Sequence, residues 1–299
     1  MKWISAYYSI CIFLCAIFSG RGEALAQEQA FQAGDSLYSA GRFFEAAIAY
    51  EREFFLSQEA VVRAEASLRK SRALKQQGEY FRAVMDLQRS LPYAPGDSLR
   101  REMLYEMAVC SYLSGVYSQA YSLLQQYEVQ YPNANHSEAF SLLKGMVLVK
   151  MRNWDQLNDY LLGISRSQHP SDGRDSLLKA MQTLLLKEHR PVERDPEKAR
   201  LLSTFLPGTG HFFAGNPGAG ILNGFSQLAS LGVAVLLGYN QMYISGVIVG
   251  LGMFQSFYFG GIRQAGELTE ERNILTMQAY QETLLAMLLE LYQSAPNEP

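Results

Sequence analysis

The chain reads as an all-α protein: a solenoid of helical hairpins, then a transmembrane helical hairpin, then a C-terminal amphipathic helix. Three observations predict this. A glycine–aromatic–alanine signature returns at a constant 37-residue step, and self-similarity at such a period marks stacked supersecondary units. Two stretches, 219–238 and 243–262, contain no charged residue, and each is long enough to cross a hydrocarbon core of about 30 Å. From Thr269 to Gln293 apolar residues recur at helical spacing.

At the N-terminus Lys2 precedes an apolar run, Ile4 to Phe18, and then Ala24-Leu25-Ala26. A charged start, a short hydrophobic core and an Ala-x-Ala site predict a secretory signal peptide over residues 1–26, with Gln27 as the new terminus. An uncleaved anchor is the alternative, and either form carries the repeat region across the membrane. Cys11 and Cys15 lie in this segment behind Ile10 and Leu14, so the small residue that precedes a lipoprotein cysteine is missing. Cys110 alone remains beyond it. No intramolecular disulfide, zinc framework, metal site or cofactor is therefore expected, and Cys110 reads as a buried apolar filler.

The first copy of the signature is Gly41-Arg-Phe43-x-x-Ala46-x-x-x-Tyr50, and the second Gly78-Glu-Tyr80-x-x-Ala83-x-x-x-Leu87. The third is Gly115-Val-Tyr117-x-x-Ala120-x-x-x-Leu124, and the fourth decays to Arg152-Asn-Trp154-x-x-Leu157-x-x-x-Leu161. Each glycine falls where one helix stops and the chain reverses. The aromatic opens the second helix, and the alanine one turn on lets the paired helices approach closely. Tyr50, Leu87 and Leu124 share that face. Pro95 and Pro132 are placed to end second helices, and Asp97-Ser98 and Ser137 to cap first helices. A further helix over Ser171–His189, with Leu177, Leu178, Met181, Leu184 and Leu185 inward, would close the array.

These residues resemble the tetratricopeptide repeat (TPR) family over roughly residues 27–170. That family's repeat is about 34 residues long, so 37 implies longer helices or turns, a form similar to repeats of bacterial envelope TPR proteins. The first-helix tryptophan of the family is absent in every copy, and copy four lacks both glycine and alanine. The resemblance implies a repeat domain over 27–190 whose concave face holds a protein or peptide partner in the cell envelope. Exposed groups on the first helices, Tyr38, Arg72 and Tyr105, are the candidate contacts.

The two uncharged stretches predict a membrane hairpin over 219–262 around the turn Tyr239–Met242. Gly220-x-x-x-Gly224 and Gly246-x-x-x-Gly250 put small residues on one face of each arm, and Asn223, Gln227 and Gln255 are placed to hydrogen-bond between helices. A buried soluble hairpin is the alternative. Before it, 191–218 reads as a linker and a glycine-rich interfacial turn, with Phe212 and Phe213 at headgroup level. No Lys-Ser/Thr follows its glycines and no strand precedes them, so neither nucleotide fingerprint is met. Pro207, Gly208, Gly210, Phe213 and Gly215, with Tyr258, Gly260 and Gly261 later, resemble a C-terminal two-span domain found behind TPR arrays in bacterial envelope proteins. That resemblance covers roughly 200–273 and implies a location, the bacterial inner membrane with the array in the periplasm, rather than an activity.

Orientation carries a conflict. Arg190, Arg194, Lys198, Arg200 and Arg263 flank the hairpin and would favour the cytoplasm, whereas the signal peptide places these flanks outside. A third crossing over Leu201–Gly215 would resolve it, but that segment is short and holds Pro207. In the final segment, 263–299, Ile274, Met277, Leu284, Leu288 and Leu291 form a stripe. The helix packs on the array or lies at the membrane surface, with a homo-oligomeric seam as the alternative.

No catalytic constellation emerges, and the chain is read as a non-enzyme. The four histidines, His136, His169, His189 and His211, show no metal-ligand spacing. Gly-Asp-Ser-Leu at Gly34–Leu37 and Gly96–Leu99 resembles a hydrolase nucleophile block, but it sits at or inside repeat helices with no histidine block, and helix capping accounts for it. The formal net charge is −3, from 26 basic and 29 acidic residues, with no basic block, so no nucleic-acid partner is expected. The bilayer is the other expected partner. The leading expectation is thus a membrane-anchored envelope scaffold. The alternative is a component of envelope transport or membrane-protein biogenesis acting through the hairpin.

Overall fold

The computed structural model describes residues 31–132, 137–167 and 172–293, and every regular element among them is helical. The expected signal peptide, residues 1–26, lies outside the described residues, as do His136 and His169. Two compact units meet between Leu157 and Asn158.

The first unit is a run of helix pairs: α1 (31–39) with α2 (Phe43–Leu56), α3 (Ala60–Gln76) with α4 (Tyr80–Ser90), and α5 (Asp97–Leu113) with α6 (Tyr117–Gln130). α7 (Glu138–Lys150) then leads into α8 (Trp154–Ser167). The four second helices begin on the aromatic of each copy, Phe43, Tyr80, Tyr117 and Trp154. At the turns the backbone is left-handed, with φ of 73° at Gly41, 79° at Gly78 and 79° at Gly115. The following N–H then reaches back to close a Schellman motif, Arg42 to Leu37 O at 2.9 Å, Glu79 to Leu74 O at 3.0 Å and Val116 to Ser111 O at 3.0 Å. An added Cβ at these three glycines would meet nothing within 4 Å. Conformation, not crowding, demands glycine there. The fourth copy keeps the geometry without the glycine: Arg152 sits at φ 57°, and Asn153 N–H donates to Leu148 O at 3.1 Å.

Ala46, Ala83 and Ala120 are fully buried, and Leu157 takes that place in copy four. Tyr50, Leu87, Leu124 and Leu161 are buried one turn later, as the shared face requires. From α3, the nearly buried Lys70 bridges Glu51 of α2 at 2.6 Å and Asp86 of α4 at 2.5 Å, tying three helices together.

Three local expectations are corrected. α4 stops at Ser90 and passes into a 3-10 turn, Leu91–Tyr93, so the break comes at Pro92, which has no N–H to continue the ladder, and not at Pro95. Asp97-Ser98 does not cap α5, because Gly96 occupies the N-cap at φ 75° with no side-chain bond. Ser137 does cap α7, its Oγ accepting from Phe140 N–H at 3.2 Å. Gly34–Leu37 lies inside α1 rather than at a cap. Gly34 leaves room for the Tyr50 ring, and Tyr50 donates its hydroxyl to Asp35 at 2.7 Å.

The second unit holds the end of α8 and then α9 (Asp172–Leu184), α10 (Pro196–Phe205), α11 (Thr209–Ala214) and α12 (Pro217–Tyr239). After the turn, α13 (Tyr243–Ser245), a π-helical stretch (Gly246–Leu251) and α14 (Gly252–Gln293) run on as one helix of 51 residues, Tyr243–Gln293. α12 and this rod are the two helices, among the described residues, long and apolar enough to cross a membrane. The turn between them repeats the Schellman closure, with Gln241 at φ 61° and Met242 N–H donating to Leu237 O at 2.9 Å.

Gly246 and Gly250 pack on α12. A Cβ at Gly246 would lie 3.1 Å from Ala234 O, and one at Gly250 would overlap Ala234 itself. Gly220 and Gly224 instead receive the Pro207–Gly208 backbone. The glycine-rich segment is thus more than a turn, because α10 and α11 occupy much of 191–218. In the C-terminal stripe Met277, Leu284, Leu288 and Leu291 are buried, while Ile274 is exposed and Gln281 takes an inward place. Positions 277, 281, 284, 288 and 291 alternate steps of four and three; Ile274, seven residues before Gln281, keeps that register but lies uncovered. The stripe is covered within the chain: α14 packs on α9, Tyr280 donates to Leu184 O at 2.7 Å, and the Tyr160 and Tyr292 hydroxyls lie 3.0 Å apart.

The two kinds of glycine should separate in denaturation. Gly78→Ala should cost about 1 kcal/mol through backbone conformation alone. Gly34→Ala must displace Tyr50 and should cost about 2–3 kcal/mol. Urea melts of the purified variants check both values.

Candidate functional site

An opening in the first unit lies between α5, α6 and α7. Ser98, Arg101, Glu102 and Tyr105 line it from one face of α5, Tyr127 from α6, and Ser137 and Phe140 from the start of α7. The cavity is about 240 Å³, enough for part of a peptide rather than a large cofactor. The i, i+3, i+4 and i+7 spacing on α5 brings its four residues to one side. The wall is aromatic: the Tyr127 and Phe140 ring centroids lie 4.6 Å apart, those of Tyr105 and Phe140 6.4 Å.

Arg101 is the polar centre. Its guanidinium carbon stands 5.7 Å from the Tyr131 ring centroid, a cation–π contact, and its Nε is buried without a hydrogen-bond partner among the described residues. Glu102 beside it is paired with Arg72 of α3. Burial pushes the Tyr105 phenol above its ordinary range, reinforced by Glu106, so this hydroxyl stays protonated as a potential donor.

Of the three candidate contacts, Tyr105 lines the cleft and Arg72 reaches it through Glu102. Tyr38 lies in the first pair, packed edge-on against Phe43 at 5.2 Å, and does not join them. Arg101 and Phe140 escaped the sequence reading. Arg101 could have been found as the residue one turn before Tyr105 on the same face. Phe140 could not, because its approach depends on how α7 docks.

A second polar group lies inside the apolar helices of the second unit. His211 of α11 is fully buried, its Nε2 3.3 Å from Gln264 Oε1 and its Nδ1 without a partner among the described residues. Asn223 of α12 donates to Phe257 O at 3.2 Å and accepts from Gln227 at 2.8 Å, and Ser230 donates to Gln227 O at 2.8 Å. Gly261 leaves room for the Asn223 amide. Of the three residues expected to bond between helices, Asn223 does so directly and Gln227 acts through it. Gln255 is exposed.

Pro207, Gly208, Gly210 and Gly215 each have a geometric role. Gly208 (φ 88°) and Gly215 (φ 85°) flank α11 in the left-handed region, Pro207 and Gly208 touch α12, and a Cβ at Gly210 would run into Ala199 O. Arg194 and Lys198 each stand 5.6 Å from the Phe213 ring centroid.

Compared with known proteins, the chain matches no protein-family model, and no curated protein is significantly similar to it.

Cys110 lies buried on α5, and burial pushes its thiol from an ordinary value near 9 up to about 12, with Glu106 adding to the effect and Lys75 opposing it. The folded thiol keeps its proton while the unfolded one ionises. The contribution to stability is therefore full below about pH 9 and is lost as pH rises from 9 toward 12. A disulfide reagent at pH 8 should modify native Cys110 only as fast as the unit opens, and Cys110→Ala should flatten the loss of stability above pH 9. Titrated denaturation and thiol kinetics check both.

Proposed function

We propose that this protein is a membrane-anchored scaffold of the bacterial envelope. In this reading the helical pairs are a TPR-type array that holds a protein or peptide partner in the periplasm, and α12 with the following rod fixes it in the inner membrane. The function is binding rather than catalysis. The observation that carries the reading is Arg101, a cation held on an aromatic wall at an open cleft with its Nε unpaired. The exposed edge of that guanidinium would take a partner's carbonyl or carboxylate while an apolar side chain filled the space beside Tyr105, Tyr127 and Phe140. The spacing of the repeats supports the TPR resemblance through four left-handed turns one period apart. The apolar length of the two long helices supports the anchor.

A second reading rests on the His211–Gln264 and Asn223–Gln227 groups. Polar side chains buried in an apolar helical bundle are expensive and often mark function, and here the hairpin itself would act, in envelope transport or membrane-protein biogenesis.

Photo-crosslinking in cells separates the two. A photoreactive side chain at Tyr105 of the full-length protein should capture a discrete partner, and one at exposed Ser118 should not. Arg101→Ala should weaken that capture about tenfold, the usual weight of an interface arginine. Adducts that form from Gln227 or Gln264 and never from Tyr105 would favour the second reading.

A further inference from the structure

Contacts fix the direction of the two short helices that precede α12. α10 runs antiparallel to α14: Arg194 N–H donates to Asn273 Oδ1 at 2.9 Å, Arg200 pairs with Glu270 at 3.2 Å, and Tyr258 donates to Thr204 O at 2.9 Å. The chain reverses over 206–208, and α11 returns along the same helix, with His211 beside Gln264 and Arg272 donating to Ala214 O at 3.4 Å. The tip rests on α12. A Cβ at Gly220 would lie 2.7 Å from Gly208 O, and one at Gly224 would lie 3.6 Å from Pro207 O. Gly224 stands about 10 Å along α12 from Pro217 at ~1.5 Å rise per residue, roughly a third of a ~30 Å hydrocarbon core.

The chemistry of this tip suits lipid. Between Arg200 and Arg263 the chain has no Asp, Glu, Lys or Arg, so the tip of the hairpin, residues 201–215, belongs to the same uncharged stretch as the long helices, while Glu197, Lys198 and Arg200 stay at its base. Its outer face is apolar: Leu201, Phe205, Leu206 and Phe212 are exposed, Phe205 at 81 %, and they continue the exposed Ile221 and Phe225 of α12. A break between helices frees backbone carbonyls, which a water-facing loop leaves to solvent. Here protein hydroxyls take them. Thr209 Oγ1 reaches the carbonyls of Leu202 and Leu206, each at 2.7 Å, Tyr258 covers Thr204 O, and Ser203 Oγ accepts from Gly210 N–H at 3.1 Å. Internal satisfaction of the backbone is what a hydrocarbon setting requires.

We propose that α10 and α11 form a re-entrant hairpin that dips into one leaflet and leaves on the side it entered, its outer face covered by lipid acyl chains. The proposal rests on the reading that α12 and the rod cross the membrane. The segment 201–215 then adds no third crossing, and Arg194, Lys198 and Arg272 lie at the rim on one side.

Spin labels in the full-length protein, reconstituted into phosphatidylcholine–phosphatidylglycerol vesicles, test this. On a background with Cys11, Cys15 and Cys110 replaced by Ala, single labels go at Phe205→Cys, Leu206→Cys, Lys198→Cys and Leu228→Cys. Collisions with oxygen report lipid, and collisions with a water-soluble nickel chelate report water. The oxygen-to-nickel ratio at 205 and 206 should exceed that at 198 several-fold and fall below that at 228. Ratios at 205 and 206 equal to that at 198, with 228 lipid-exposed, would sink the re-entrant hairpin and leave the crossing intact. Shielding of 205 and 206 from both agents would also overturn it, by showing protein rather than lipid over the tip. A water-exposed 228 would remove the crossing, and the hairpin proposal with it.

Discussion

Closure of a helix by a single left-handed residue is the constraint on which the rest of the structure depends. The C-terminal carbonyls of a helix have no partner inside it, and the cheapest internal solution is a positive-φ residue that turns the next N–H back onto them. The same closure ends helices at Gly41, Gly78, Gly115, Arg152, Gly215 and Gln241. It fixes the direction in which the chain leaves, so each second helix starts antiparallel and in contact. The alanine one turn later then sets the spacing of the pair. Core burial follows from this geometry, because Tyr50, Leu87, Leu124 and Leu161 face inward only when the turn has that shape.

Where side-chain identity alone sets backbone conformation, the sequence was readable. Glycine at 41, 78 and 115, with an aromatic two residues on, located three helix starts to the residue, and the period carried the fourth to Trp154. Chemistry that rests on docking was hidden. Arg152 keeps the left-handed turn despite its Cβ, which no local signal reveals. Gly220 and Gly224 looked like a seam for the opposing arm, yet small residues state only that something comes close, and here it is the backbone of Pro207–Gly208. Ile274 and Gln281 share one register, seven residues apart, yet the polar residue is covered and the apolar one exposed, so burial along α14 is set by what packs against it. At the cleft, Tyr105 was visible as an aromatic on a first helix and Arg101 one turn before it shares its face, whereas Tyr131 and Phe140, which give Arg101 its aromatic surroundings, arrive from elsewhere in the fold.

The two units treat polar groups in opposite ways. In the first, charges are used freely: Lys70 joins Glu51 and Asp86, and Lys144 joins Glu128. In the second, the uncharged stretch is served by hydroxyls and amides that bond at short range, often to a carbonyl one turn earlier, as Ser226 does to Leu222 O at 2.8 Å. Amides that cannot be satisfied within their own helix turn inward, as Asn223 does toward Phe257 O. Neutral hydrogen bonds survive a low dielectric, where an unpaired charge would not.

The unbroken rod from Tyr243 to Gln293 joins an apolar stretch and an amphipathic one in one mechanical body. It holds no proline, and its one irregularity, the π-helical stretch Gly246–Leu251, lies near the start, well before the stripe from Met277 to Leu291. An α-helix resists twisting and bending over such lengths, so a change of tilt at one end becomes a swing at the other. If the apolar part tilts to match a thicker or thinner bilayer, residues many turns away must move with it, dragging α9 through the Tyr280–Leu184 bond. A helix of this length, if it crosses a bilayer, acts as a lever whose fulcrum is the lipid.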